Sequence, residues 1–275
     1  MKNCDANRAR GKDNLGRACA AAWAAILLLP SGLVRAQASL PQAPATFPFT
    51  FNGPQADTPG ELDAFGLITE ATQPPDIIAR VEAFIRDFPD SQFLSLAQLR
   101  EMQAEIDINS YEGAVAVGHA LLRKSPNNLE ALILLAGVLP NFPPSYPDSR
   151  KANALKEAEG DIQAANQLLQ TFRLMESFPP RAFLAEKQKL RLSLKEAAAF
   201  LDLASGNDQR AIQEYQALLA GSSTRPAVTC FRLGVAYYHV GQMDNARAQL
   251  EAARQNDNGI IRKQATSLLK QIATR

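Results

Sequence analysis

The sequence predicts an all-α fold, a short α-solenoid of antiparallel helix pairs, and three observations predict it. Cys230 to Ala253, CFRLGVAYYHVGQMDNARAQLEAA, reads as two short amphipathic helices hinged at Gly241. Leu233, Gly234 and Tyr237 share a face of the first, and Ala246, Leu250 and Ala253 recur three or four apart on the second. The hinge also recurs: Gly206 turns the chain 35 residues (241−206) before Gly241. Finally, no run of alternating β-branched residues marks a sheet. Gly234 and Ala246 stand where the two helices cross, and a larger side chain there would push them apart. Gly241 closes the first helix in a left-handed conformation that glycine adopts cheaply.

In chain order, residues 1–38 read as a secretory signal. Lys2, Arg8, Arg10, Lys12 and Arg17 form a basic start, Ala18 to Leu29 is apolar, and Ala36-Gln37-Ala38 is a small-residue cleavage site before Ser39. The apolar stretch is shorter than the ~20 residues of a spanning helix, and Pro30 and Gly32 follow it. The expectation is export, to the periplasm, the cell envelope or the medium, with no membrane span after cleavage. Cleavage removes six Lys/Arg and two Asp from 29 basic and 28 acidic residues, leaving 23 and 26, and the net charge moves from +1 to −3. Neither value, nor any basic run, argues for nucleic acid. Cys4 and Cys19 leave with the signal, so Cys230 has no internal disulfide partner and reads as a small buried hydrophobe.

Residues 39–60 read as a Pro-rich tether, with Pro41, Pro44, Pro48, Pro54 and Pro59, and with Phe47, Phe49 and Phe51 alternating inside it. The helical domain is expected over 61–275. Thr58, Pro59 and Glu61 make a capping box for its first helix, to about Ala71. Ile77, Ile78, Val81, Phe84, Ile85 and Phe88 stripe the second, which ends at Phe88-Pro89-Asp90-Ser91. A third helix runs to about Ile106, and Asn109-Ser110-Tyr111-Glu112 starts a fourth through Lys124. Leu132, Leu135, Ala136 and Leu139 then repeat the spacing of Cys230, Leu233, Gly234 and Tyr237. Their partner helix is delayed by the Pro- and aromatic-rich stretch 140–148 and resumes with Ala158, Ile162 and Ala165 in register. A long helix is expected over 183–204, with Ala198 and Ala199 at the Leu-Gly positions, then a second helix with Ala211, Tyr215 and Leu218. The last helix, 259–273, should cover the apolar end of the final pair.

The pattern Leu-Gly-x-x-Tyr followed by Ala-x-x-x-Leu-x-x-Ala resembles the tetratricopeptide repeat, a helix–turn–helix unit of ~34 residues. The resemblance covers 76–273 and is strongest over 226–253. It implies a right-handed superhelix of helix pairs whose inner face, lined by the first helix of each pair, holds peptides or partner proteins, and it implies no reaction. The export signal, the tether and the Phe-Pro-Asp-Ser turn are similar to those of exported bacterial repeat proteins.

Little in the chain points to chemistry. His119 and His239 have no carboxylate or cysteine at ligand spacing, so no metal or cofactor is expected. G-x-S-x-G, P-loop, G-x-G-x-x-G and H-E-x-x-H motifs are absent. Glu157, Glu159 and Asp161 read as a solvated helix face. Some proteins of the resembled family clamp a C-terminal carboxylate with Lys and Asn on the inner face. The matching positions here are Ile133 and Gly137, Glu196 and Phe200, and Phe231 and Val235, which hold no such pair. The inner face therefore reads as apolar, with Ile133, Phe200, Phe231 and Tyr238 either as partner contacts or covered by the protein's own long helix or tether. Phe231 and Tyr238, two helical turns apart, should be partly exposed, and Leu233 and Tyr237 buried. The expected function is a non-catalytic scaffold for a peptide or protein partner; a structural part of an envelope-assembly or secretion complex is the alternative.

Overall fold

The computed structural model describes residues 54–143, 145–171, 180–222, 225–255 and 259–274. Among these residues the chain forms eleven helices and no strand. They run as five antiparallel pairs and a closing helix. The pairs are α1 (Pro59–Glu70) with α2 (Pro74–Asp87), α3 (Leu94–Asp107) with α4 (Tyr111–Lys124), α5 (Leu129–Val138) with α6 (Asp148–Thr171), α7 (Pro180–Ala204) with α8 (Asp208–Ala220), and α9 (Ala227–His239) with α10 (Met243–Arg254); α11 (Gly259–Ala273) closes the stack. The expected signal, most of the expected tether and Phe47, Phe49 and Phe51 lie outside the described residues.

One turn device closes three of the pairs. At Asn109, Gly206 and Gly241 the backbone is left-handed, with φ of 61°, 79° and 78°. The following N–H then reaches back into the helix: Ser110 to the Glu105 carbonyl at 2.8 Å, Asn207 to Asp202 at 2.8 Å, and Gln242 to Tyr237 at 2.9 Å. These bonds satisfy carbonyls that a helix end would otherwise leave open. Glycine reaches the conformation without a Cβ clash, and asparagine tolerates it.

The first helix is pinned at its start. Thr58 Oγ1 accepts from the Glu61 N–H at 3.2 Å, and Glu61 Oε2 accepts from the Asp57 N–H at 2.6 Å. The box thus reaches one residue further back than expected. The Ser91 hydroxyl donates to the buried Glu61 carboxylate, tying α1 to the Phe88-Pro89-Asp90-Ser91 turn. These donors, Ser91 first, hold the Glu61 carboxyl below the usual carboxylate range.

Packing follows the periodicity. Leu233, Gly234, Tyr237, Ala246, Leu250 and Ala253 are all buried between α9 and α10, together with Cys230. A Cβ built on Gly234 would lie 2.8 Å from Leu250 Cγ and 3.3 Å from the Leu250 backbone nitrogen. The crossing therefore has room for glycine alone. On α11, Ala265 and Ile272 are buried, and Ile261, Leu268 and Leu269 pack against the same core, covering the end of the last pair.

The middle of the chain departs from regular pairs. Asn141 Nδ2 donates to the carbonyls of Gly137 and Val138 at 3.1 and 3.0 Å, capping α5. The enlarged turn then folds back onto α4, where the Tyr146 hydroxyl donates to Glu112 and the Arg150 guanidinium lies 3.8 Å over the Tyr146 ring. Helices α6 and α7 run to 24 and 25 residues, about two and a half times the 10 of α5. The surplus lets Leu190 and Leu194 of α7 pack over Leu129, Leu132 and Ile133 of α5, with Ala165 and Leu169 of α6 in the same cluster.

Candidate functional site

The four expected contact residues separate into two groups. Ile133 is only 5% exposed and belongs to the core beneath Leu190 and Leu194. The expectation of a partner contact at Ile133 is corrected: the chain's own long helix covers that part of the inner face. Phe200, Phe231 and Tyr238 remain partly exposed while packing against the last core. Leu233 and Tyr237 are buried, at 1% and 6%. So α9 turns two aromatics outward and its Leu-Gly-x-x-Tyr face inward.

The face formed by α7 and α9 is not purely apolar. The Arg232 guanidinium stacks 3.6 Å over the Phe200 ring, with 17% of the side chain exposed. Glu196 lies 3.9 Å from Arg232 and accepts from the Thr229 hydroxyl at 3.1 Å. Behind them the Tyr215 hydroxyl is fully enclosed, near Arg232, Glu196 and Glu214, with no hydrogen bond of ordinary geometry. Burial pushes the Tyr215 phenol above its usual value, and burial followed by the nearby Asp202 pushes the Glu214 carboxyl up. Gln216 Nε2 donates to the Tyr237 hydroxyl at 2.6 Å, so the buried tyrosine has its polar partner. The outcome is a shelf: a cation of α9 flattened on the Phe200 ring of α7, with Phe231 and Tyr238 partly exposed on the cation's own helix. Such a shelf can take an apolar side chain and offer a guanidinium edge to an acceptor.

Sequence reasoning did not find Arg232. Its signal was present: Arg232 follows Phe231 directly, on the helix that lines the inner face. Its partners Phe200 and Glu196 are 32 and 36 positions away (232−200 and 232−196), beyond any local spacing rule.

The histidines also gain distant partners. His119 Nε2 meets Glu157 Oε1 of α6, and His239 Nδ1 meets Asp208 Oδ1 of α8 at 2.8 Å. The acidic cluster is therefore not a uniformly solvated face: Glu157 is paired, Glu159 is exposed, and Asp161 is half-buried with Oδ2 lacking a partner. Burial first, then Glu157, pushes the Asp161 carboxyl up to about 7, against the pull of His119. Among the described residues no three His, Cys, Asp or Glu side chains converge to hold a metal ion. Nor is any described helix long and apolar enough to cross a membrane.

The five helix pairs, their left-handed hinges and the glycine crossing define the tetratricopeptide-repeat fold. Among solved structures, a thermophilic tetratricopeptide-repeat protein from Thermus thermophilus matches with a TM-score of 0.50 at 14% identity, over 76% of this chain and 95% of its own. A tetratricopeptide-repeat protein from Parabacteroides merdae aligns over 78% of this chain and 90% of its own, with a TM-score of 0.39 and 11% identity. No family model matches the chain, and no curated protein matches it by sequence. The likeness to the Thermus protein concerns the fold.

Proposed function

We propose that the protein is a non-catalytic interaction scaffold that holds a peptide or protein partner on the inner face of its last two helix pairs. One observation carries the reading. Phe231 and Tyr238 stay partly exposed on a helix that buries Leu233 and Tyr237. Apolar groups left open beside a fixed cation form the usual core of a binding surface. A photo-crosslinking residue at 231 or 238 should capture the same partner protein, and one at 233 should capture none. Equal crosslinking from all three positions overturns the reading.

We further propose that this scaffold works outside the cytoplasm, in the periplasm or cell envelope or after secretion. Support comes from the order of basic, apolar and small-residue segments in residues 1–38. Intact-mass measurement should find a chain beginning at Ser39. That chain lacks Trp23, the sole tryptophan, and so lacks indole fluorescence. Retention of Met1 in a membrane pellet contradicts export with cleavage.

A further inference from the structure

We infer that the cleft between α6 and α7 is a second binding site, for an extended segment of a partner protein that presents a carboxylate beside an apolar side chain. The cleft measures about 240 Å³. Leu169 and Leu194, both 4% exposed, form its floor. Asn166 and Gln170 of α6 rise on one side, and Arg191 and Lys195 of α7 on the other. Each couple is four residues apart, so each stands on one face of its helix one turn apart.

The charges make the argument specific. Arg191 and Lys195 are exposed, and neither has an ion pair or side-chain hydrogen bond among the described residues. The acids nearest them in sequence are engaged elsewhere: Glu186 accepts from Lys189 at 3.2 Å and Glu196 from Thr229 at 3.1 Å. On α6 the same stripe reads Gln163, Asn166, Gln170, with no acid. Two uncompensated cations over an apolar floor, faced by two amides, complement a carboxylate with an apolar neighbour. The guanidinium and ammonium meet the anion, and the amides can donate to or accept from the ligand's backbone. Two cations are too few for a nucleic-acid track.

The site is distinct from the α7–α9 shelf. Lys195 and Glu196 are consecutive and so point about 100° apart around α7. The inference extends the scaffold reading to a second face, and the two fail separately: Phe231→Ala should leave this cleft's binding unchanged.

Calorimetry on the purified full chain at low salt tests it, with four acetylated peptide probes. These are Leu-Leu-Gln with a free terminal carboxylate, Leu-Leu-Glu amide with a side-chain carboxylate only, Leu-Leu-Glu with both, and Leu-Leu-Gln amide with none. The carboxylate peptides should bind and the last should not, and comparing the first two shows which carboxylate is read. Arg191→Gln with Lys195→Gln should weaken binding ~10-fold without moving the melting midpoint, since both side chains are exposed. The inference is overturned by equal binding of the carboxylate-free peptide, by unchanged affinity in the double variant, by displacement with submillimolar inorganic phosphate, or by no binding at millimolar peptide.

Discussion

The second and last helix pairs carry their packing glycines on opposite helices and turn them towards different neighbours. Their hinges align, Asn109 with Gly241, which places Glu101, Met102, Gly118 and Leu121 level with Leu233, Gly234, Leu250 and Ala253. In each pair the central residues stand sixteen apart, 102 to 118 and 234 to 250. The last pair puts glycine on the first helix and leucine on the second. The second pair puts Met102 on the first and Gly118 on the second, and Gly118 makes room not for Met102 but for Leu135 of α5 in the next pair, whose side chain a Cβ would meet at 2.8 Å. Ala114 and Ala246 are level and both fully buried. In both places a leucine fills the space that a glycine leaves, from the partner helix at Gly234 and from the next pair at Gly118, as close-packed interiors require. A second contrast lies beside it. Where the last pair buries Leu233, the second buries Glu101 at 8% exposure, and burial first, then Glu82 and Glu105, pushes its carboxyl up to about 7.

The largest effects should come from breaking the Gly234–Leu250 contact. Leu250→Gly should cost ~3–5 kcal/mol, from the cavity and from glycine inside a helix. Gly234→Met should cost ~1–3 kcal/mol by overpacking. In the double variant the methionine can enter the space that Leu250 leaves, so its loss should fall short of the sum by at least ~1 kcal/mol. Denaturant unfolding measures all three, and strict additivity would mean that the crossing is not a shared space.

Smaller effects are expected at the hinges. Gly241→Ala should cost ~1–2 kcal/mol because it places a Cβ in the left-handed conformation. Asn109→Gly should change stability by less than ~1 kcal/mol, since asparagine already tolerates that conformation. A large loss from Asn109→Gly would show that its side chain, which accepts from the Tyr111 hydroxyl at 2.8 Å, matters more than its backbone.

The buried carboxyl gives the last of these contrasts, read through pH. The folded-state value of Glu101 is raised to about 7, whereas an unfolded glutamate titrates near ~4.3. The native state therefore holds the proton more tightly, and stability falls as pH rises from ~4.3 towards 7, then levels. Asp161 has the same sign. Glu61 is lowered and works in reverse, losing its contribution as pH drops below the ordinary carboxylate range. Glu101→Gln should raise the melting midpoint at pH 8 relative to wild type and leave it nearly unchanged at pH 5. An equal shift at both pH values would show that Glu101 is not protonated in the fold.

The fold was legible wherever its signal is local. Leu-Gly-x-x-Tyr, the 35-residue hinge spacing (241−206) and the delayed second helix after 140–148 all survive as structure. What was not legible depends on residues far apart in sequence. Ile133 carries the spacing of an inner-face residue, and only the packing of Leu190 and Leu194 removes it from the surface. Arg232 on Phe200, and each histidine on its carboxylate, join helices about one pair apart. The second pair's register was hidden because Met102 and Gly118 reverse the motif that marks the last pair.

The proposed scaffold requires one helix, α9, to present both a core face and a partner face. Melting and partner capture on Phe231→Ala, Tyr238→Ala and Leu233→Ala test it together. Leu233→Ala should lower stability by ~2–5 kcal/mol, as a core deletion does. The two aromatic variants should keep most of the wild-type stability and weaken capture of the crosslinked partner by ~2 kcal/mol or more. If Phe231→Ala melts the protein as badly as Leu233→Ala, or leaves capture intact, α9 has no partner face.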